Sequence, residues 1–226
     1  MQVYKYETHT HTSLVSRCSR ITPENLVRYY KKLGYSGVFI TDHFLNGNTT
    51  VSKELSWQDQ IHRFCDGYDK AFKESQKIGL DVFFGLEYSY EGTDFLTYGL
   101  DKQWLLDHPD LLTLSLGEYC DLVRAEGGII VHAHPFREDF YIDMIRLIPR
   151  KVDAIEVLNA GRTDFENDCA RQYADTYQLK LFAGTDTHHD QQTILHGIQL
   201  KRRLENERDM IQALNLGEIE VFSQLI

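Results

Sequence analysis

At 226 residues with a formal net charge of −10, the chain lacks the basic face that a general nucleic-acid surface requires. Hydrophobic residues make up 42%, enough for a sizeable core, and no apolar run approaches the ~18 residues of a membrane span. Cys18, Cys65, Cys120 and Cys169 stand singly with no CxxC pair, and the start carries no signal-peptide pattern. The expectation is one cytoplasmic domain over residues 1–226, with reduced thiols and no disulfide framework or zinc knuckle.

The chain opens as a strand, Val3-Tyr4-Lys5-Tyr6, running into Glu7-Thr8-His9-Thr10-His11-Thr12. Side chains alternate along a strand, so His9 and His11 share a face and can hold one metal ion, or are polar residues at a strand terminus. Thr22-Pro23-Glu24 supplies an N-cap, a proline at the first helical position and an acidic first turn, and Leu33-Gly34 ends that helix. A β-rich run, Gly37 to Thr41, ends at Asp42-His43. A polar loop at Asn46-Gly47-Asn48 then leads to a long helix, Trp57 to Ile78, closed by Gly79. Asp81 to Leu86 is a strand ending at Glu87, and Phe95 to Leu100 is another, preceded by Asp94.

A helix capped by Ser115 runs to Glu126, and Ile129-Ile130-Val131 is a strand ending at His132-Ala133-His134-Pro135. A helix near Tyr141–Leu147, a strand at Ala154–Leu158 and a helix near Phe165–Tyr177 follow. Lys180-Leu181-Phe182-Ala183 is a buried strand ending at Gly184-Thr185-Asp186-Thr187-His188-His189. A strand Ile194–Leu200, a helix near Glu205–Leu214 and a short terminal strand complete the chain. Apolar strands alternating with helices predict a parallel sheet with crossover helices.

His9, His11, His43, Glu87, His134, Asp186 and His188 all fall at or just past strand C-termini, the face on which an α/β barrel builds its site. Each alone has a structural explanation, but seven on one face point to metal coordination. His62, His108 and His196 fall elsewhere and read as surface or structural.

The runs His9-Thr10-His11-Thr12, Ile40-Thr41-Asp42-His43, Gly85-Leu86-Glu87, Ala133-His134-Pro135 and Gly184-Thr185-Asp186-Thr187-His188 resemble, in order and spacing, the PHP (polymerase and histidinol phosphatase) family. The resemblance implies an α/β fold, a distorted (β/α)7 barrel of the TIM-like kind, holding two or three divalent ions (Mn, Fe or Zn) and hydrolysing phosphate esters. It implies that His9, His11, Glu87 and Asp186 surround one ion. Glu87 would bridge to a second ion held also by His134, and His43 and His188 would hold a third. Asp94 stands where many members have a histidine between Glu87 and His134, and is carried over as a metal ligand. Where members place an acid or histidine a few residues after the HxH pair, this chain has Arg17 or its neighbours, and arginine cannot bind a cation. Cys18 is then either a substitute ligand or a structural thiol.

Up to six positive charges against Glu87, Asp94 and Asp186 make the site net positive, suited to a phosphate dianion. The expected function is hydrolysis of a small phosphomonoester by a metal-activated hydroxide. His11, Glu87, Asp186 and His188 would be catalytic, with His188 aiding the leaving alkoxide. Arg137, Arg17 and Arg20 are candidates to hold the phosphate. His132 shares a strand face with His134 by alternation, and Asn159 is a candidate outer contact. The alternatives are an amidohydrolase, which would recruit a lysine on the fourth strand, and a metal-binding domain without catalysis.

Overall fold

The computed structural model describes residues 2–226. Seven strands run in chain order around a nearly closed barrel: β1 (Tyr4–Glu7), β2 (Gly37–Ile40), β3 (Asp81–Tyr90), β4 (Thr93–Tyr98), β5 (Ile129–Ala133), β6 (Ala154–Asn159) and β7 (Lys180–Gly184). β8 (Ile194–Leu200) pairs antiparallel with β1, and β9 (Glu220–Leu225) with β8. The helices are α1 (Pro23–Lys32), α2 (Trp57–Ile78), α3 (Lys102–Asp107), α4 (Leu116–Ala125), α5 (Asp164–Tyr177) and α6 (Glu207–Leu216).

The local signals act as expected at most helix ends. Thr22 accepts from Asn25 N to start α1, and Gly79 ends α2 at φ 66°. Ser115 with Glu118, and Thr163 with Glu166, form capping boxes at the starts of α4 and α5.

The all-parallel expectation holds only for β1–β2–β3 and β5–β6–β7. β4 is antiparallel to both neighbours. Only Glu91 and Gly92 separate β3 from β4, at φ 46° and 84°, and two residues can close a hairpin but never a crossover. The reversal puts Asp94, near the start of β4, at the same rim as the ends of β3 and β5.

A second correction is the helix expected at Tyr141–Leu147: the segment is irregular. Its apolar residues face outward, with Phe140 96% and Met144 59% exposed, so no buried stripe supports a helix. Arg146 instead ties the segment to the β3–β4 hairpin through Glu91, at 2.8 Å from its Oε2.

Tyr6, Phe39, Phe83, Tyr98 and Phe182 pack together with Met210, Ile211 and Leu214 of α6. Ile211 and Ile129, at the start of β5, belong to this cluster, which runs along β5 to Ala133 at its end.

The seam between β1 and β7 closes just beyond the strands. His11 N donates to Thr187 O at 3.0 Å, and Thr187 N to His9 O at 3.1 Å. Buried Glu7 reinforces it, accepting from Thr8 N, His9 N and Thr185 N through one oxygen and from the Tyr30 hydroxyl through the other. Burial pushes the Glu7 carboxyl up to about 7 against these hydrogen bonds. No helix among the described residues is long and apolar enough to cross a membrane.

Gly184 is what lets the seam close, because a methyl there would collide with Cβ of His9 and sit 2.9 Å from Glu156 Oε1. Gly184→Ala should therefore lower stability by about 1–3 kcal/mol through overpacking, read as a lower urea midpoint with an unchanged slope. An unaltered midpoint would mean the seam has slack.

Candidate metal centre

The Thr-His-Thr-His-Thr run beyond β1 divides its side chains between frame and site. Thr8 Oγ1 donates to Ala183 O at 2.6 Å, Thr10 Oγ1 to Phe39 O at 2.7 Å and Thr12 Oγ1 to Asp42 Oδ2 at 2.7 Å. The threonines thus stitch the segment to β7, β2 and the loop after β2, while His9 and His11 face inward.

Each histidine is aimed by a bond from its Nδ1. His9 Nδ1 donates to Glu156 Oε1 at 2.8 Å, and Glu156 Oε2 also takes His134 N at 2.9 Å. Ser16 Oγ donates to Asp42 Oδ1 at 2.7 Å, so it accepts from His11 Nδ1 at 3.2 Å. Both Nε2 atoms are left turned into the site, the arrangement that imidazole ligands of metals require. Burial raises Asp42 to about 6, against the bonds from Ser16 and Thr12.

Three groups of donor atoms result: His9, His11 and Asp186; His9, Glu87 and His134; and His11, His43 and His188, each within 4.8 Å of one another. Asp186 Oδ1 lies 3.4 Å from His9 Nε2 and 3.2 Å from His11 Nε2. Glu87 Oε1 lies 3.2 Å from His134 Nε2, and Oε2 lies 2.6 Å from His43 Nδ1. His134 and Asp186 adopt φ 28° and 59°, left-handed conformations unusual for such residues and characteristic of functional positions.

The buried carboxylates and imidazoles set one another's charge. Burial works against ionising Glu87, yet His43 and His9 hold it well below the usual carboxylate range. Asp186, equally opposed by burial, is held down by His9, His11 and His188. Burial works against protonating His9, which Asp186, Glu156 and Glu87 nevertheless raise well above 6.5. Burial, with His43 and His188 beside it, drops His11 to about 3. His43 Nδ1 and Glu87 Oε2 are buried with no hydrogen bond, although only 2.6 Å apart.

A cavity of about 900 Å³ opens over this cluster, lined by Cys18, His43, Glu87, Asp94, His134, Arg137, Arg162, Asp186 and His188 among others. Seven of the eight expected ligands thus converge. Asp94 lines the cavity but lies outside the three groups, its Oδ2 paired with Arg137 at 2.9 Å. Of the three candidate arginines, Arg137 lines the cavity and Arg17 and Arg20 do not. Arg17 is exposed and hooks its Nε onto Thr49 O. Cys18 takes the inward place on that loop, its Sγ 3.1 Å from His188 Nε2. It is exposed rather than buried. Partial burial raises its thiol, but His188 and His43 outweigh that and bring it to about 6.

His132 does not line the cavity. Alternation fails because His134 lies past the end of β5 at φ 28°, so the two rings diverge. His132 stacks on Phe95, bonds Thr93 Oγ1 at 2.9 Å, and is dropped to about 3 by burial. Asn159 Nδ2 donates to Glu156 Oε2 at 2.9 Å and reaches Asp186 Oδ2 at 3.5 Å.

Glu156 and Arg162 went unread in the sequence. Glu156 had a signal, a carboxylate inside the apolar run Ala154-Ile155-Glu156-Val157-Leu158. Arg162 stands three residues past β6, as Arg137 stands three past His134.

A family model described as the PHP domain matches residues 7–215. Among curated proteins no sequence matches significantly. Among solved structures, a two-domain protein of Bacteroides vulgatus containing a predicted PHP-like metal-dependent phosphoesterase superposes with TM-score 0.71 and 16% identity, over 98% of this chain and 65% of that one. The chain thus spans just under two thirds of that protein. A Bifidobacterium adolescentis protein provisionally described as a metal-dependent phosphoesterase gives 0.56 and 17%, over 93% and 95%. A Chromobacterium violaceum amidohydrolase with bound sulfate and no metal gives 0.55 and 15%, over 81% and 87%. At these identities the likeness is one of fold.

Because Glu156 holds His9 in place, Glu156→Gln should weaken divalent-ion binding about 10–100-fold, the usual effect of losing an outer partner. Calorimetric titration of Mn²⁺ into the chelator-treated protein measures this, and unchanged affinity would reduce Glu156 to a packing role.

Proposed function

The chain belongs to the PHP domain family, and from that premise we propose that it is a metal-dependent phosphoesterase acting on a small phosphomonoester. The observation that carries the reading is the pairing of the imidazole–carboxylate cluster with two guanidinium groups, Arg137 and Arg162, in one cavity. The Nε atoms of both arginines are buried and without a hydrogen-bond partner.

The donor set fits divalent ions, since buried carboxylates and outward-braced imidazoles supply hard and borderline ligands together. The unpartnered His43 Nδ1 and Glu87 Oε2 fit them too. His9, His11, Glu87, Asp186 and His134 would hold the inner pair, and His43 and His188 an outer ion. Bound ions supply Lewis acidity and lower the pKa of water toward ~7.

The chain's own residues do the rest. Arg137 and Arg162 grip the phosphate oxygens, and the planar guanidinium favours two oxygens at once. Asp94 positions Arg137 through its 2.9 Å ion pair, and Asp94 is in this reading an orienting group rather than a ligand. The buried carboxylates Glu87 and Asp186 fix the charge balance, so a dianionic substrate is drawn to a site that the ions make net positive.

Amidohydrolases typically recruit a lysine from the fourth strand. β4 reads Thr-Asp-Phe-Leu-Thr-Tyr, and none of the cavity-lining residues is lysine. A domain that only binds metal would not require arginines poised over the cluster.

Purified protein loaded with Mn²⁺ should release phosphate from a generic aryl phosphate. Asp186→Ala or His11→Ala should reduce kcat/KM at least ~100-fold, beyond the effect of losing an outer partner. Full metal loading without phosphate release from any of a panel of phosphorylated metabolites would overturn the reading. Arg137→Ala should raise KM about tenfold or more, as expected for losing charge-assisted hydrogen bonds to bound phosphate. An unchanged KM would remove Arg137 from the substrate.

A further inference from the structure

We propose that Cys18 is a thiolate ligand of the outer ion, making that position a sulfur-containing site distinct from the nitrogen-and-oxygen inner pair. The inference rests on the metal-dependent reading above and extends it to a residue that takes an acid or imidazole place in the resemblance.

Donor counting leads to it. His11 has one free ring nitrogen, because Nδ1 is engaged by Ser16. That nitrogen lies 3.1 Å from His9 Nε2 and 3.2 Å from Asp186 Oδ1, within the inner group. A single lone pair serves one ion, so His11 is committed inward. The outer position then keeps His43 and His188, one protein ligand short of the three that open metal sites commonly have.

Cys18 stands where the missing donor belongs. Its Sγ lies 3.1 Å from His188 Nε2, and both line the same cavity. Sulfur and nitrogen bound to one zinc ion at ~2.3 and ~2.0–2.1 Å stand about 3.1–3.6 Å apart for angles of roughly 90–110°. An independent sign of a cation is His43, only 8% exposed, whose Nδ1 has no hydrogen-bond partner and faces Glu87 Oε2. The loop alternates to suit: Ser16 points in to His11, Arg17 out to Thr49, and Cys18 in. Neither Cys65, Cys120 nor Cys169 lines the cavity.

On binding, the Cys18 S–H bond breaks as the sulfur–metal bond forms, and the proton leaves to solvent with no change of oxidation state. A thiolate is a soft ligand, so the outer position should prefer zinc or cobalt over manganese and magnesium.

The test is to strip the full chain with chelator, reload it with Co²⁺, and record near-ultraviolet absorption and ions bound per chain. The wild type should show a sulfur-to-cobalt charge-transfer band. Cys18→Ser should lose the band and one ion per chain, while Cys18→Asp should recover the ion without the band. A fully loaded wild type lacking the band, or a Cys18→Ser protein that retains it, overturns the inference. Phosphate release is assayed on the same samples. The band without phosphate release would uphold Cys18 as ligand while sinking the phosphoesterase reading.

Discussion

The site is organised round a carboxylate buried at the floor of the cavity. Glu87 is fully buried, and its oxygens face His43, His134, His9 and His11 at 2.6 to 3.5 Å. An ionised carboxylate in such a place is strongly disfavoured unless positive charge compensates it. Every ion-pair partner of Glu87 among the described residues is an imidazole. A guanidinium would neutralise it permanently, whereas imidazoles can give their lone pairs to a metal and leave the carboxylate free to ligate. The scaffold keeps this charge rigid: β3 continues past Glu87 to Tyr90, and Glu87 N donates to Asp42 O while Phe44 N donates to Glu87 O. A strand ending at Glu87, as its apolar run suggests, would leave the carboxylate on a loose end.

The first half of that arrangement was legible because it depends on period. Threonine and histidine alternate from Thr8 to Thr12, and a period of two is a direct statement about faces. The strand-end positions of His43, Glu87, His134, Asp186 and His188 were legible for a related reason. Apolar runs bounded by polar residues locate strand ends, and the barrel assigns those ends to one rim. What the period leaves open is the work of the threonines. Their hydroxyls bind backbone or Asp42 on the face opposite the histidines, and only the fold reveals those partners.

The failures have local causes. Glu91 and Gly92 form a two-residue turn with positive φ at both positions, and a glutamate gives a weaker turn signal than the Asn-Gly or Asp-Gly pairs that mark such hairpins. Reading β4 as parallel therefore missed the reversal that brings Asp94 to the rim. His132 was misjudged because alternation presumes extended backbone, and His134 departs from it. The segment after β5 has helical spacing of apolar residues, but Phe140 and Met144 have no surface to pack on. Arg17 and Cys18 differ by one position on a loop, where no period says which of them faces inward.

That irregular segment and the β3–β4 hairpin together form the cavity mouth, where acids and arginines are matched. Arg146 pairs with Glu91 at 2.8 Å and Arg137 with Asp94 at 2.9 Å. Such pairing restrains long side chains before substrate arrives, so less rotamer freedom is lost on binding. Arg137 is only partly used by Asp94: the ion pair goes through a terminal nitrogen, and its Nε has no partner. A fork of five donors held at one corner can therefore donate to an oxyanion without releasing its carboxylate.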